Sequence, residues 1–175
     1  MKYKFTTLLV LAFLAIANLS MAQAHEKKPN VNTEKGIGTE LPQFAFELPD
    51  GSTLTPSVLK KQPVIVFYFD PDCDHCNEQA KLVSENAEKF TGVTMVWVSW
   101  ALTIEDNVKF YKKYFMEMPD KVFVARDTQF SIDKLFGYSE VPSVYVYDKD
   151  WKRTASFEAE TDPELLVKFA KQVSE

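Results

Sequence analysis

The spacing of apolar residues changes along this chain, and each change marks an element. Val64 to Phe69 (VIVFYF) is an unbroken apolar run rich in β-formers, the pattern of a strand buried on both faces. Beyond it the period lengthens. Cys76, Ala80, Val83, Ala87 and Phe90 recur at helical spacing, and Thr91-Gly92 ends the helix they predict. Val93 to Trp100 reads as a second buried strand. Ile104, Val108, Tyr111 and Phe115 predict an amphipathic helix stopped by Pro119. Val122 to Ala125 is a short strand, and Ile132 to Phe136 a short helix closed by Gly137. Ser143 to Tyr147 and Arg153 to Phe157 are strands joined by the turn Asp148-Lys149-Asp150-Trp151. Thr161 or Asp162 caps a final helix, with Pro163 at its start and Leu166, Phe169, Ala170 and Val173 on its buried face.

Toward the N-terminus, Phe44, Phe46 and Leu48 alternate with Ala45 and Glu47, which predicts an early, partly exposed strand before the turn Pro49-Asp50-Gly51. Thr53 to Leu59 reads as a short helix or turn. Strands alternating with helices imply an α/β fold with helices on both faces of the sheet. The last two strands add an antiparallel hairpin to an otherwise largely parallel sheet.

The first residues have a different logic. Lys2 and Lys4 precede the uncharged, mostly apolar run TTLLVLAFLAIANL, and Ala22-Gln23-Ala24 is a small-x-small site. That is a secretory signal peptide over residues 1–24, too short for a span that needs roughly 20 apolar residues. Residues 25–38 (HEKKPNVNTEKGIG) are polar with Pro and Gly and read as a linker, leaving one domain over 39–175. A length of 175 residues, 46% hydrophobic and 14% aromatic, supports one sizeable core rather than disorder. The net charge of −5 provides no footprint for nucleic acid. Export, to a bacterial periplasm, implies an oxidising compartment. Only two cysteines are present, so stability rests on the core and not on disulfide staples.

Those two cysteines, Cys73 and Cys76, follow the Val64–Phe69 strand at once, in the stretch DPDCDHC. The second falls in the first turn of the predicted helix. A thiol at a helix N-terminus lies near unsatisfied N–H groups and the positive dipole end, which favours its thiolate as nucleophile. A second thiol one turn later is placed to attack a mixed disulfide. Cys73 would attack and Cys76 resolve, the pair closing a redox disulfide. Asp72 and Asp74 oppose the thiolate, and a protonated His75 supports it; these three tune the pair. Asp74 also suits the positive end of a helix on its own account. An inert crosslink across so short a loop would restrict little chain entropy. Two thiolates, His75 and an aspartate could ligate zinc or copper, but one short stretch does not easily wrap a tetrahedral ion. No metal and no cofactor beyond the dithiol is expected.

The stretches FYFDPDCDHC and GYSEVPSVYVYDKDWK, with the strand–helix order between them, resemble the thioredoxin-fold thiol–disulfide oxidoreductases. The nearest type is the exported TlpA/ResA-like branch, related to AhpC/TSA. The resemblance covers Thr39 to the C-terminus. It implies a three-layer α/β/α sandwich with a central mixed β-sheet and an inserted strand–helix unit, here Val122 to Phe136. It also implies that a cis-proline loop faces the redox pair, at the position of Val141-Pro142, where the Val141 backbone pairs with an extended substrate and Pro142 shapes the groove. Implied partners are protein thiols and disulfides and a membrane or exported electron donor. Phe67 stands where thioredoxin buries a proton-transferring aspartate, and Asp72 where it has a tryptophan. Two other readings share the fold. A redox-inactive binding module would keep the cysteines without turnover. A metal-handling or peroxide-reducing protein would need residues absent here: peroxide reduction requires Thr or Ser three positions before the attacking cysteine, and that position is Asp70.

Overall fold

The computed structural model describes residues 36–118, 120–137 and 140–172. The expected signal segment, all of the linker before Gly36, Pro119 and Val173 lie outside them. Residues 36–38, the end of that linker, turn against the sheet, where the Gly38 N–H donates to the Arg153 carbonyl at 2.9 Å.

The strands are β1 (Phe46–Glu47), β2 (Thr53–Leu54), β3 (Val64–Tyr68), β4 (Thr94–Ser99), β5 (Val122–Arg126), β6 (Ser143–Tyr147) and β7 (Arg153–Phe157). They form one sheet in the order β2-β1-β5-β4-β3-β6-β7. The helices are α1 (Asp74–Glu85), α2 (Ile104–Tyr114), α3 (Ile132–Phe136) and α4 (Pro163–Ala170). Parallel pairing is confined to β3·β4 and β4·β5, and the remaining pairs are antiparallel. The sheet is therefore mixed, as the resemblance implies, with β6 antiparallel to β3 as well as to β7. The reason lies in the connections. Helices α1 and α2 each carry the chain back to the starting end of the sheet, as a parallel neighbour requires. Only α3 intervenes after β5, and the chain re-enters beside β3 running the other way.

The period of β3 assigns the two faces. Ile65, Phe67 and Phe69 pack with Cys76, Ala80 and Val83 of α1, Phe110 of α2 and Leu166 and Ala170 of α4. Val64, Val66 and Tyr68 face the other side, with Ile132 and Phe136 of α3 and with Phe44, Phe46 and Leu54. The result is the three-layer thioredoxin-like sandwich, with β5 and α3 as the inserted unit. Helix α3 is the one helix on its face among the described residues, and the N-terminal arm completes that layer. There the rings of Phe44 and Phe46 stack at 4.6 Å.

Three elements differ from the sequence expectation. The helix expected to run to Thr91-Gly92 ends at Glu85, and a separate 3-10 turn, Ala87–Phe90, follows it. The early strand is only Phe46–Glu47, and its hairpin partner β2 lies where a helix or turn was expected; a single 3-10 turn, Pro56–Val58, follows it. Phe44 and Phe46 are both buried, so their alternation reflects packing more than pairing. In α2 the buried residues are Asn107 and Phe110, whereas Ile104 is 46% exposed. Of the expected stripe Phe115 is fully buried and Tyr111 packs against the core, but the start of the helix is rotated because Phe110 enters an aromatic cluster, 4.4 Å from Phe69 and 5.8 Å from Trp97 between ring centroids. That choice depends on the facing sheet, which periodicity does not reveal.

Phe67, on the central strand, stacks on Trp97 of β4 at 4.1 Å with the rings 5° from parallel. Both are fully buried. Truncating Phe67→Ala removes that stack and leaves a cavity, and we expect a loss of ~3–5 kcal/mol, measured by urea denaturation.

Candidate active site

Strand β3 ends at Tyr68, and Phe69 is still buried, so the chain must turn abruptly to start α1 at Asp74. The turn is closed by Asp70. Its carboxylate accepts from the Asp72 N–H at 2.8 Å, and its carbonyl accepts from the Cys73 N–H at 3.2 Å. Cys73 is the N-cap of α1, with extended backbone (φ −85°, ψ 118°). Its Sγ accepts from the Cys76 N–H at 3.3 Å, taking the place that a Ser or Asp oxygen commonly fills at a helix start.

Both cysteines are free thiols in very different surroundings. Cys73 is half-buried, while Cys76 is fully buried against the core. Burial pushes the Cys76 thiol far above its ordinary range, and the adjacent Cys73 sulfur adds to the effect through a hydrogen bond and charge repulsion. The Asp70 backbone acts against this shift, and the Asp70 charge acts with it. One sulfur is therefore reachable at a helix end, and the other is kept neutral one turn away.

The remaining residues singled out in the sequence are distributed around this pair. Asp72, Asp74 and His75 are exposed on the loop and the first turn of α1. The partner of the His75 ring is the Glu160 carboxylate, brought in from the loop before α4. The Val141–Pro142 peptide bond is cis. Pairing of Ser143 with Tyr68 sets Val141 and Pro142 alongside the segment that runs from Phe69 to Cys73. Val141 is half-buried against both cores, and Pro142 is buried. Phe67 fills the place of the thioredoxin aspartate with a stacked ring. The other tryptophans divide: Trp151 covers the sheet edge, its indole N–H donating to the Gln62 carbonyl at 3.0 Å, whereas Trp100 is 52% exposed. Met118 is buried and Met116 exposed. Among the described residues no group of three or more His, Cys, Asp or Glu side chains converges as a metal site would require.

Other residues at the site escaped the sequence reading. Asn77 donates from its side-chain amide to the Pro71 carbonyl at 2.8 Å and to the Cys73 carbonyl at 3.0 Å. Its Oδ1 accepts from the Tyr114 hydroxyl at 2.7 Å. The last turn of α2 is thus tied to the cysteine loop through one amide. A polar residue just after the second cysteine hints at local side chain-to-backbone bonding, but nothing local points to Tyr114. Gln79, fully buried, similarly holds the loop before α4 by donating to the Thr161 carbonyl at 3.1 Å and accepting its N–H at 2.6 Å.

Two measurements follow from this geometry. Asn77→Ala should destabilise the protein by ~1–2 kcal/mol and Tyr114→Phe by about 1 kcal/mol. Because the hydroxyl acts through the amide, the double variant should lose less than the sum in a denaturation cycle. The second concerns pH. Unfolding releases Cys76 to an ordinary thiol, so above a pH of about 8.5 the unfolded chain binds fewer protons than the native one. Stability of the reduced protein should therefore fall as pH rises beyond that value, by up to ~1.4 kcal/mol per unit from this group. Thermal unfolding across pH 8 to 10 should show a shallower slope in Cys76→Ala.

Comparison with known proteins places this geometry in a family. Two curated relatives, both named thiol-disulfide oxidoreductase ResA, come from Bacillus thuringiensis subsp. konkukian and Bacillus cereus. Each is 24% identical over 140 residues, covering 79% of this chain and 79% of the relative. Among solved structures, a secreted disulfide oxidoreductase of Mycobacterium tuberculosis homologous to DsbE of E. coli superposes with a TM-score of 0.60 at 20% identity, covering 73% of this chain and 94% of the other. Peroxidoxin BcpB from the same organism gives 0.64 at 16% identity, covering 80% and 99%. These superpositions establish the thioredoxin-like fold. Residues 37–156, running from the N-terminal arm through the cysteine loop to β7, match the model of the AhpC/TSA family, and the chain belongs to that family.

Proposed function

We propose that this protein is an exported thiol–disulfide oxidoreductase that reduces disulfides in exported proteins. The observation that supports this best is the pairing of an accessible Cys73 at the N-cap of α1 with a buried, neutral Cys76 one turn later. The two relatives named thiol-disulfide oxidoreductase support the same chemistry.

The reaction has two steps. Cys73, as thiolate, attacks one sulfur of a substrate disulfide; the substrate S–S bond breaks, a Cys73–substrate mixed disulfide forms, and the departing substrate thiolate takes up a proton. Cys76 then loses its proton and attacks the Cys73 Sγ. The mixed disulfide breaks, the second substrate thiol leaves, and Cys73–Cys76 closes. Two electrons have passed to the substrate, and a membrane-linked or exported dithiol donor returns the pair to its reduced form. Burial keeps Cys76 protonated while Cys73 attacks, which suits a resolving thiol.

Val141 and Pro142 line the groove, the Val141 backbone pairing with the extended substrate. Asp72, Asp74 and His75 tune the pair, and the Glu160 carboxylate holds the His75 ring in place. Negative charge from Asp70, Asp72 and Asp74 works against the dithiol once a thiolate develops and so favours electron donation. The residues before Cys73 do not supply a peroxide pocket: Asp70 stands where the required Thr or Ser would be.

Insulin-disulfide reduction with dithiothreitol as donor tests this. The unmodified protein should be active, and Cys73→Ser and Cys76→Ser inactive. Cys76→Ser should accumulate a mixed disulfide that Cys73→Ser does not form. An inactive unmodified protein, or trapping through Cys76 instead, would overturn the reading. A reduction potential close to that of a strong oxidase would reverse the proposed direction.

A further inference from the structure

Strands β3, β4 and β5 are parallel neighbours, so the loops leaving their C-terminal ends lie side by side. The first carries Cys73. The second carries Trp100, 52% exposed, and the third Phe130, 72% exposed. The two rings approach to 6.0 Å between centroids. Trp100 is a ridge between two hollows. One, of about 570 Å³, reaches the cysteine loop at Asp70, Asp72 and Asn77. The other lies among Tyr68, Phe130 and Asp133. The Trp100–Phe130 pair thus stands between the hollow at the redox loop and the one at the inserted strand–helix unit.

Phe130 is held in solvent by construction. Its φ of +51° is in the left-handed region, which disfavours an L side chain by roughly 1 kcal/mol or more. The buried carboxylate of Asp127 fixes that conformation. It accepts from the N–H groups of Gln129 at 3.2 Å, Ser131 at 2.5 Å and Ile132 at 3.0 Å, and from the Ser131 hydroxyl at 3.0 Å. A strained loop that keeps an apolar ring in water has an explanation if the ring has a partner.

Charge indicates which partner. Asp127 and Asp133 line the hollow beside Phe130, and no Lys or Arg does so among the described residues. Burial, followed by the Asp133 charge, raises the Tyr68 hydroxyl there above its ordinary pKa. At the redox end are Asp70 and Asp72. The α2 wall of the larger hollow adds Asp106 with Lys109 and Lys113; Lys109 Nζ lies 2.9 Å from Glu105, and Lys113 Nζ lies 4.7 Å over the Tyr114 ring.

We propose that the Trp100–Phe130 strip docks a cationic segment of the protein substrate while the disulfide of that segment reaches Cys73. This rests on the oxidoreductase reading and names its substrate class: protein regions in which Lys or Arg flanks the cysteines. The acidic rim attracts the segment, and the ring faces receive its guanidinium groups and aliphatic stems.

The test mixes reduced protein, in single turnover, with a disulfide peptide flanked by Lys and Arg, the same peptide flanked by Glu, and neutral hydroxyethyl disulfide. The basic peptide should react at least tenfold faster than the acidic one at low salt, with the gap narrowing at high salt. Phe130→Ala and Trp100→Ala should each lower the ratio of basic-peptide to hydroxyethyl-disulfide rate at least fivefold. Val58→Ala, which trims an exposed apolar residue elsewhere, should leave that ratio unchanged. A separate arm titrates a Cys-to-Ser version of the basic peptide into the isotope-labelled Cys73→Ser, Cys76→Ser protein and follows the Trp100 indole signal. If disulfides react but neither ring substitution alters the ratio, the docking proposal is overturned and the redox reading stands. If no disulfide reacts yet the indole shifts in a Phe130-dependent way, docking stands and the redox reading falls. If neither signal appears, both are overturned.

Discussion

The site depends on one constraint: a strand buried on both faces must become a helix within a few residues. Strand β3 holds the centre of the sheet between β4 and β6, and Phe69 is buried just past its end. Helix α1 begins at Asp74 and buries Cys76, Gln79, Ala80 and Val83 on the same core. The intervening turn has almost no freedom. Asp70 closes it from within, Asn77 holds it from the helix, and Cys73 is left as the capping residue. The contrast between the two sulfurs is a consequence of that packing: the first caps the helix at the surface, and the second, one turn later, faces the core.

The same core explains a chemical departure from thioredoxin. A buried carboxylate at position 67 would face Trp97 and the aromatic cluster around Phe110 and Phe115. A charge there would need a partner that this cluster does not offer. Phe67 gives the core a stack instead. Asp70 is the carboxylate whose charge reaches the Cys76 thiol.

Legibility followed locality. Strands β3, β4, β6 and β7 and helix α3 were readable because each is a contiguous segment with its own period and stop signals. The final helix cap was readable too, and Asp162 fills it by accepting from the Glu164 N–H at 2.6 Å. The buried face of α2 was misread because Asn107 is polar while Ile104 is apolar; the facing aromatic cluster selected Phe110. Hairpin strand β2 was missed because two residues carry no period. Tyr114 and Glu160 could not be found at all: their roles come from atoms 37 and 85 residues away from their partners.

The sequence by itself determined the cysteine pair, the strand and helix on either side of it, and the proline loop before β6, because each is specified by residues close together in the chain. Tertiary structure decided the rest. It set β6 antiparallel to β3, because connection geometry and not strand composition sets direction. It neutralised Cys76, because desolvation depends on what packs around a sulfur. It brought Trp100 and Phe130 together at the end of the sheet that carries the cysteine loop, because parallel strands place successive loops at one end of a sheet.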